Sequence, residues 1–168
     1  FEPYQGWSAE FMPKEYVQKL KKWCDKNGIL IIIDEIQSGF GRTGKLFAYE
    51  HFDIVPDIIT CAKGISSSLP LSCVLTRSEI INTDMSYNST HGGNPLAVAA
   101  SNASVKYLLD NNLVLASQIK GKILHDELLE WQKEMPEYIE RINCRGLLAS
   151  VFIKSPDGFN NIINLGIF

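Results

Sequence analysis

The architecture of this chain is written most legibly in IIIDEIQSGFGRTGKL, residues 31–46. With Ile29 and Leu30 in front of it, the segment opens on five consecutive aliphatic residues. It then passes through an acid pair, Asp34 and Glu35, into a glycine-rich basic loop. An unbroken aliphatic run lacks the period-two alternation of a strand with one wet face; it fits a parallel strand covered by helices on both faces. A carboxylate at the end of such a strand is costly unless a cation meets it. The segment therefore asks what cation faces Asp34.

Working outward, PKEYVQKLKKWCDKNG places Tyr16, Val17, Leu20, Trp23 and Cys24 on one side at helical spacing, with Pro13 at the start and Gly28 at the end. A helix feeding a buried strand is half of an α/β unit, and α/β is the expected fold class. Downstream, KLFAYEHF reads as a short helical turn, PDIITCAKG as a second apolar strand ending at Lys63, and LPLSCVLT as a third. YNSTHGGNPLAVAASNASVKYLLDNN runs from a loop into a helix that Asn94 caps and Pro95 begins. Leu113 to Met135 reads as a long helix with Ile119, Ile123, Leu128 and Trp131 near one face, and RGLLASVFIK as a strand. A soft domain boundary is expected between residues 110 and 140.

The 168 residues, 45% hydrophobic and 21% charged, have the composition of a soluble globular protein. Sixteen Lys and Arg against nineteen Asp and Glu give a formal charge of -3, without the basic excess of a nucleic-acid surface. No stretch approaches the roughly 18 apolar residues of a membrane span, and no signal peptide is evident. Neither nucleic acid nor membrane is thus an expected partner. Cys24, Cys61, Cys73 and Cys144 form no CxxC or zinc pattern, so reduced thiols in a cytoplasmic protein are expected. The opening on Phe1 and the apolar close NIINLGIF lead to the expectation of a fragment of a longer protein.

The chemistry gathers at strand ends. Asp34 and Lys63 each stand where a strand of a parallel sheet should finish, and those carboxyl edges line the ligand crevice of α/β folds. Separately, an Asp there can be a turn cap and a Lys a solvated cation. Thr90, Gly92 and Gly93 before the helix at Pro95 offer a hydroxyl, exposed N–H groups and a helix start, the parts of a phosphate site. GFGRTGK matches neither a Walker loop nor a dinucleotide fingerprint. His51, His91 and Cys61 lack ligand-spaced partners, which favours structural roles and no metal.

EPYQG, CDKNGILIIIDEIQSGFGRTGKLFAYEHF, PDIITCAKGISSSLPLSCVL and STHGGNPLAVAA, in that order, resemble the central part of the class-III aminotransferases, the group of 4-aminobutyrate, ornithine and omega-amino-acid transaminases. The likeness runs from Glu2 to about Ala100, with a weaker echo at Arg145 to Leu148. It implies a fold-type I enzyme dependent on pyridoxal 5'-phosphate (PLP), which moves an amino group from an amino acid or omega-amine to a 2-oxo acid. Asp34 matches the aspartate facing the protonated pyridine nitrogen, the cation asked for above. Lys63 matches the Schiff-base lysine, whose amine must be neutral to react; burial near a cation lowers an amine's pKa in that direction. Ile36 matches the branched residue on one ring face and Gln37 the amide near the phenolic oxygen, although Ile36 can also be core and Gln37 a loop cap. Thr90 matches the threonine reaching the neighbouring subunit's cofactor phosphate, which implies a homodimer or higher homo-oligomer with shared sites. Glu2 matches a glutamate on the substrate side. Arg42 is expected to serve the loop and the dimer contact.

The resemblance also divides the chain. Residues 1–125 would be part of the large PLP-binding domain and 126–168 the start of a truncated small C-terminal domain. Departures are GWSAE after EPYQ, where Trp7 and Glu10 would reshape the substrate side, and ISSSLP after the lysine. The family's N-terminal phosphate turn, ring-stacking aromatic and carboxylate-binding arginine lie outside these residues, so the isolated segment is expected to be inactive. A PLP-dependent racemase, mutase or decarboxylase, or a non-catalytic assembly module, are the alternatives.

Overall fold

The computed structural model describes residues 1–6, 10–82 and 89–154, and the backbone of 161–166. Trp7, Tyr87, Asn88 and the final Ile167–Phe168 of the sequence reading lie outside the described residues.

The aliphatic run does become a strand of a parallel pair. β3 (Ile32–Asp34) pairs in parallel with β4 (Ile58–Cys61), setting Asp34 opposite Thr60, and β5 (Cys73–Thr76) adds antiparallel to β4. Helix α1 (Lys14–Lys26) covers one face, closing a core of Cys24, Ile31 and Ile33 with Leu20, Tyr49 and Ile54 around it. Pro13 precedes the first helical residue, and Gly28 follows the last turn at φ +66°, where the Ile29 N–H caps the Cys24 carbonyl at 2.9 Å.

Two expectations are corrected here. Among the described residues, coverage on both faces does not hold: Ile33 is fully buried, whereas Ile32 is 47% exposed, because α1 covers a single side of the sheet. On α1, Val17 and Cys24 are buried while Tyr16 and Trp23 are exposed, so the core-facing stripe is narrower than the spacing predicts.

After the short helix α2 (Ser78–Ile81), α3 spans Pro95–Asp110, and the Asn94 side-chain oxygen accepts from the N–H groups of Leu96 (3.0 Å) and Ala97 (3.2 Å) as expected of its cap. Helix α4 (Leu113–Glu134) leads into a second, antiparallel sheet of β6 (Ile139–Arg145), β7 (Leu148–Ile153) and β8 (Asn161–Gly166) in that order. Leu128 meets Ile139, Ala149 and Val151, with Leu124 alongside, whereas Ile119, Ile123 and Trp131 are exposed. The buried line of α4 is thus Gly121, Leu124 and Leu128, rotated from the predicted face. RGLLASVFIK holds a hairpin turn as well as β7, with Arg145 closing β6 and Gly146 at φ +59°.

The other face of β7 receives a small hairpin, β1 (Tyr4–Gln5) with β2 (Glu10–Phe11). Tyr4, Leu148 and Phe152 pack together with Phe11, and Tyr4 Oη lies 3.1 Å from Ser150 Oγ. Arg141 pairs with Glu10 at 2.6 Å while its guanidinium sits 3.7 Å over the Phe152 ring. This docking carries the segment that begins with Glu2.

Candidate active site

Parallel pairing brings the ends of β3 and β4 to one sheet edge, and the sequence-predicted residues collect there. Asp34 Oδ1 accepts the Ile36 N–H at 2.9 Å, a tight local turn that fixes the carboxylate's direction. Beyond β4, the chain turns at Lys63, whose φ of +43° lies in the left-handed region that non-glycine residues seldom occupy. Such a conformation costs on the order of 1 kcal/mol and persists only where surrounding structure imposes it. Lys63 Nζ donates to Gln37 Oε1 at 3.4 Å. Lys63 is exposed, while Asp34, Ile36 and Gln37 are half-buried.

Glu2 reaches the same edge by backbone pairing. The Phe1 carbonyl accepts the Asp34 N–H at 2.9 Å, and the Phe1 amino group donates to the Ile32 carbonyl at 3.0 Å, so the first residue runs beside β3. The Gly6 N–H then turns back to Glu2 Oε2 at 3.5 Å. Gly6 presses on Gln37: a Cβ at that position would stand 2.7 Å from Gln37 Oε1.

Next to Lys63 opens a cleft of about 680 Å³, lined among others by Ser66, Ser67, Ser72, Ser89 and His91. Thr90 is exposed in the turn closed by the Gly92 N–H on the Ser89 carbonyl (2.9 Å). Thr90 is not part of the cleft lining, and neither are Asp34 and Gln37. The structure thus brings Glu2, Asp34, Gln37 and Lys63 to one edge, and residues flanking Thr90 line the same cleft as Lys63.

Glu35 was not singled out by the sequence, yet it is fully buried. Its carboxylate accepts from Ser38 Oγ at 2.6 Å and from the N–H groups of Ala48 and Tyr49 at 3.0 and 2.8 Å. Burial pushes its pKa up, against those hydrogen bonds. The available signal was an acid directly after a buried strand. His51 Nε2 lies 2.9 Å from Thr43 Oγ1, and burial with the nearby Arg145 charge holds its pKa below the ordinary value. The Arg42 carbonyl accepts the Leu147 N–H at 2.8 Å, joining the GFGRTG loop to the second sheet. Among the described residues, no group of three or more His, Cys, Asp or Glu is placed to hold a metal, and no helix is long and apolar enough to cross a membrane.

The sequence matches the aminotransferase class-III family over residues 1–166. The chain belongs to the class-III aminotransferases. It is 40% identical over 153 residues to the acetylornithine aminotransferase of Methanopyrus kandleri, covering 89% of this chain and 38% of that protein. Its structure is similar to an S-selective transaminase from Arthrobacter sp. with alanine bound (TM-score 0.85, 37% identity, 90% of this chain and 34% of that one). It is also similar to the ornithine aminotransferase of Toxoplasma gondii, whose structure shows partial occupancy of PLP at the active site (TM-score 0.86, 32% identity, 92% and 37%). The chain therefore spans under two fifths of the length of these relatives. The fold is that of α/β, fold-type I PLP-dependent transaminases.

Class-III aminotransferases are PLP-dependent, and the residues of this family member fit the group. The Lys63 amine meets the Gln37 amide, Asp34 ends the strand paired with the one before Lys63, and Lys63 also lines the serine-bearing cleft. Thr60, the register partner of Asp34, also has a buried Oγ1 without a hydrogen-bond partner among the described residues.

Proposed function

We propose that the protein transfers an amino group from an amino acid or omega-amine to a 2-oxo acid with PLP as cofactor. The observation that carries this reading is the 3.4 Å contact of Lys63 with Gln37 at the edge where β3 delivers Asp34. PLP, when bound, supplies an electron sink for the bond broken at the substrate carbon. Asp34, with Oδ1 engaged by the Ile36 N–H, would set a carboxylate against the ring nitrogen of the bound group and favour its protonated form. Lys63 would hold the cofactor through its Nζ, and the same amine would serve as the acid–base group at the substrate carbon. Ile36 would pack against the ring, Gln37 would serve the phenolic oxygen, and Glu2 would face substrate.

Thr90 would hold the phosphate of the partner subunit's cofactor, which would make a homodimer the working unit; the cytoplasm is the proposed compartment. Residues 1–125 belong to the large PLP-binding domain and 126–168 open the small C-terminal domain. The family membership and the shared sheet edge support this reading. The test uses the protein expressed from its complete reading frame, incubated with PLP and reduced with borohydride. Peptide mapping is expected to find the pyridoxyl label on Lys63, and Lys63→Ala to abolish transamination with the fold retained. A label on another lysine, or normal turnover by Lys63→Ala, overturns the assignment.

A further inference from the structure

We propose that Glu35 is the positioning residue of this site: its buried carboxylate fixes segment 34–37 so that Asp34 and Gln37 are held toward the Lys63 side of the sheet edge. The inference rests on Asp34 and Gln37 facing the cofactor, as read above. Glu35 is 0% exposed, whereas Asp34 and Ile36 on either side are half-buried. β3 ends at Asp34 and residues 36–40 turn, so an anchor at Glu35 holds the joint between the strand end that carries Asp34 and the turn that carries Gln37.

The anchorage is complete on all sides. The Glu35 N–H donates to the Thr60 carbonyl at 2.9 Å, tying it to the strand that leads to Lys63. Its carbonyl accepts the Gly39 N–H at 2.9 Å, and a Cβ on residue 39 would lie only 2.8 Å from that oxygen, so the close return needs glycine. Its carboxylate engages Ser38 and the Ala48–Tyr49 turn. A residue needed only to fill space there would be apolar, because a buried carboxylate is unfavourable unless its oxygens are used. Here Oε1 serves one backbone N–H, and Oε2 serves another together with a hydroxyl. Releasing that grip frees the Gln37 amide from Lys63 and the Asp34 carboxylate from its turn.

Glu35→Gln keeps the volume but turns an amide NH2 toward one of the backbone N–H groups of Ala48 and Tyr49. The affinity of the apoprotein for PLP, by fluorescence titration, and the thermal midpoint of the apoprotein are measured for Glu35→Gln alone and in an Asp34→Asn/Gln37→Ala background. Expected is a loss of PLP affinity of about ten-fold in the otherwise native protein, the scale of one misdirected charged hydrogen bond. In the double-variant background the change is expected to be below about two-fold, the tolerance for uncoupled sites. The midpoint falls equally in both backgrounds. An equal loss of affinity in both, or in neither, overturns the positioning role. A double variant that binds PLP as tightly as the native protein overturns instead the reading of Asp34 and Gln37, and this proposal with it. Should Glu35→Gln fail to fold, Ser38→Ala, which removes one donor and spares both backbone partners, goes through the same cycle under the same criteria.

Discussion

Gly121 and Gly146 stand backbone against backbone: a Cβ on Gly121 of α4 would fall 2.4 Å from the Cα, carbonyl carbon and oxygen of Gly146. Gly146 in turn abuts residues 42–44, where its own Cβ would come 2.4 Å from the Thr43 carbonyl carbon. Helix, hairpin turn and GFGRTG loop therefore meet closely because glycine stands at both Gly121 and Gly146. Overpacking a close site of this kind costs about 1–3 kcal/mol or more. Gly121→Ala and Gly146→Ala are each expected to lower the urea midpoint, Gly146→Ala further because of its φ of +59°. Since both open the same seam, the double variant should lose less than the sum of the two. Additive losses would show that the two contacts relax independently.

Asp34→Asn should bind PLP and slow the chemistry. The amide cannot hold a positive ring nitrogen, and removing one aimed electrostatic stabiliser costs on the order of a hundred-fold in rate. Stopped-flow half-reactions with an amino donor measure this directly. An unchanged rate constant would remove Asp34 from that role.

Thr90→Val tests the shared phosphate site. Loss of a hydroxyl bonded to a charged phosphate should weaken PLP binding about ten- to a hundred-fold at nearly constant side-chain volume. Mixing Lys63→Ala subunits with Thr90→Val subunits at limiting PLP should restore activity, because one site of the heterodimer then carries neither lesion. Failure to complement, with subunit exchange verified, places Thr90 in its own subunit's site or outside it.

The thiols give a pH signature. Burial pushes Cys61 from an ordinary 9.0 up to about 12 and Cys144 up to about 11. The folded chain thus holds these protons more tightly than the unfolded one. The corresponding stability is fully present below the unfolded pKa and is lost as pH rises from 9 toward 11 and 12. Denaturation midpoints should fall across that window, and Cys61→Ala with Cys144→Ala should flatten the fall. At pH 8, iodoacetamide should spare Cys61 and Cys144 in the native protein and label them after unfolding.

Much of the candidate site's edge was legible because local pattern and chemistry coincide there. The aliphatic run ends at Asp34, PDIITCAKG ends at Lys63, and Asn94–Pro95 announces a helix start; each signal needs only its neighbours. The remainder depends on contacts distant in sequence. Two-residue strands such as β1 and β2 carry no periodicity, and they exist because Tyr4 and Phe11 find β7. The buried line of α4 is set by Gly121 meeting Gly146, whereas hydrophobicity points to Ile119 and Ile123. Glu35 carries no role in the sequence reading because its partners at Ala48 and Tyr49 cannot be paired with it from sequence.

The parallel register that sets Asp34 opposite Thr60 also governs when the site can exist. A slip by one residue would displace Lys63 about 3.3 Å along the strand and turn its neighbours to the wrong face, so no partly aligned sheet presents both groups together. Lys63 and Gln37 are 26 residues apart in sequence and meet only once that non-local pairing has closed. Loop-closing contacts of this kind form slowly during folding. With the proposed roles of Lys63 and Gln37, cofactor capture follows that pairing, and the appearance of PLP binding during refolding is expected to mark the moment at which the two strands lock.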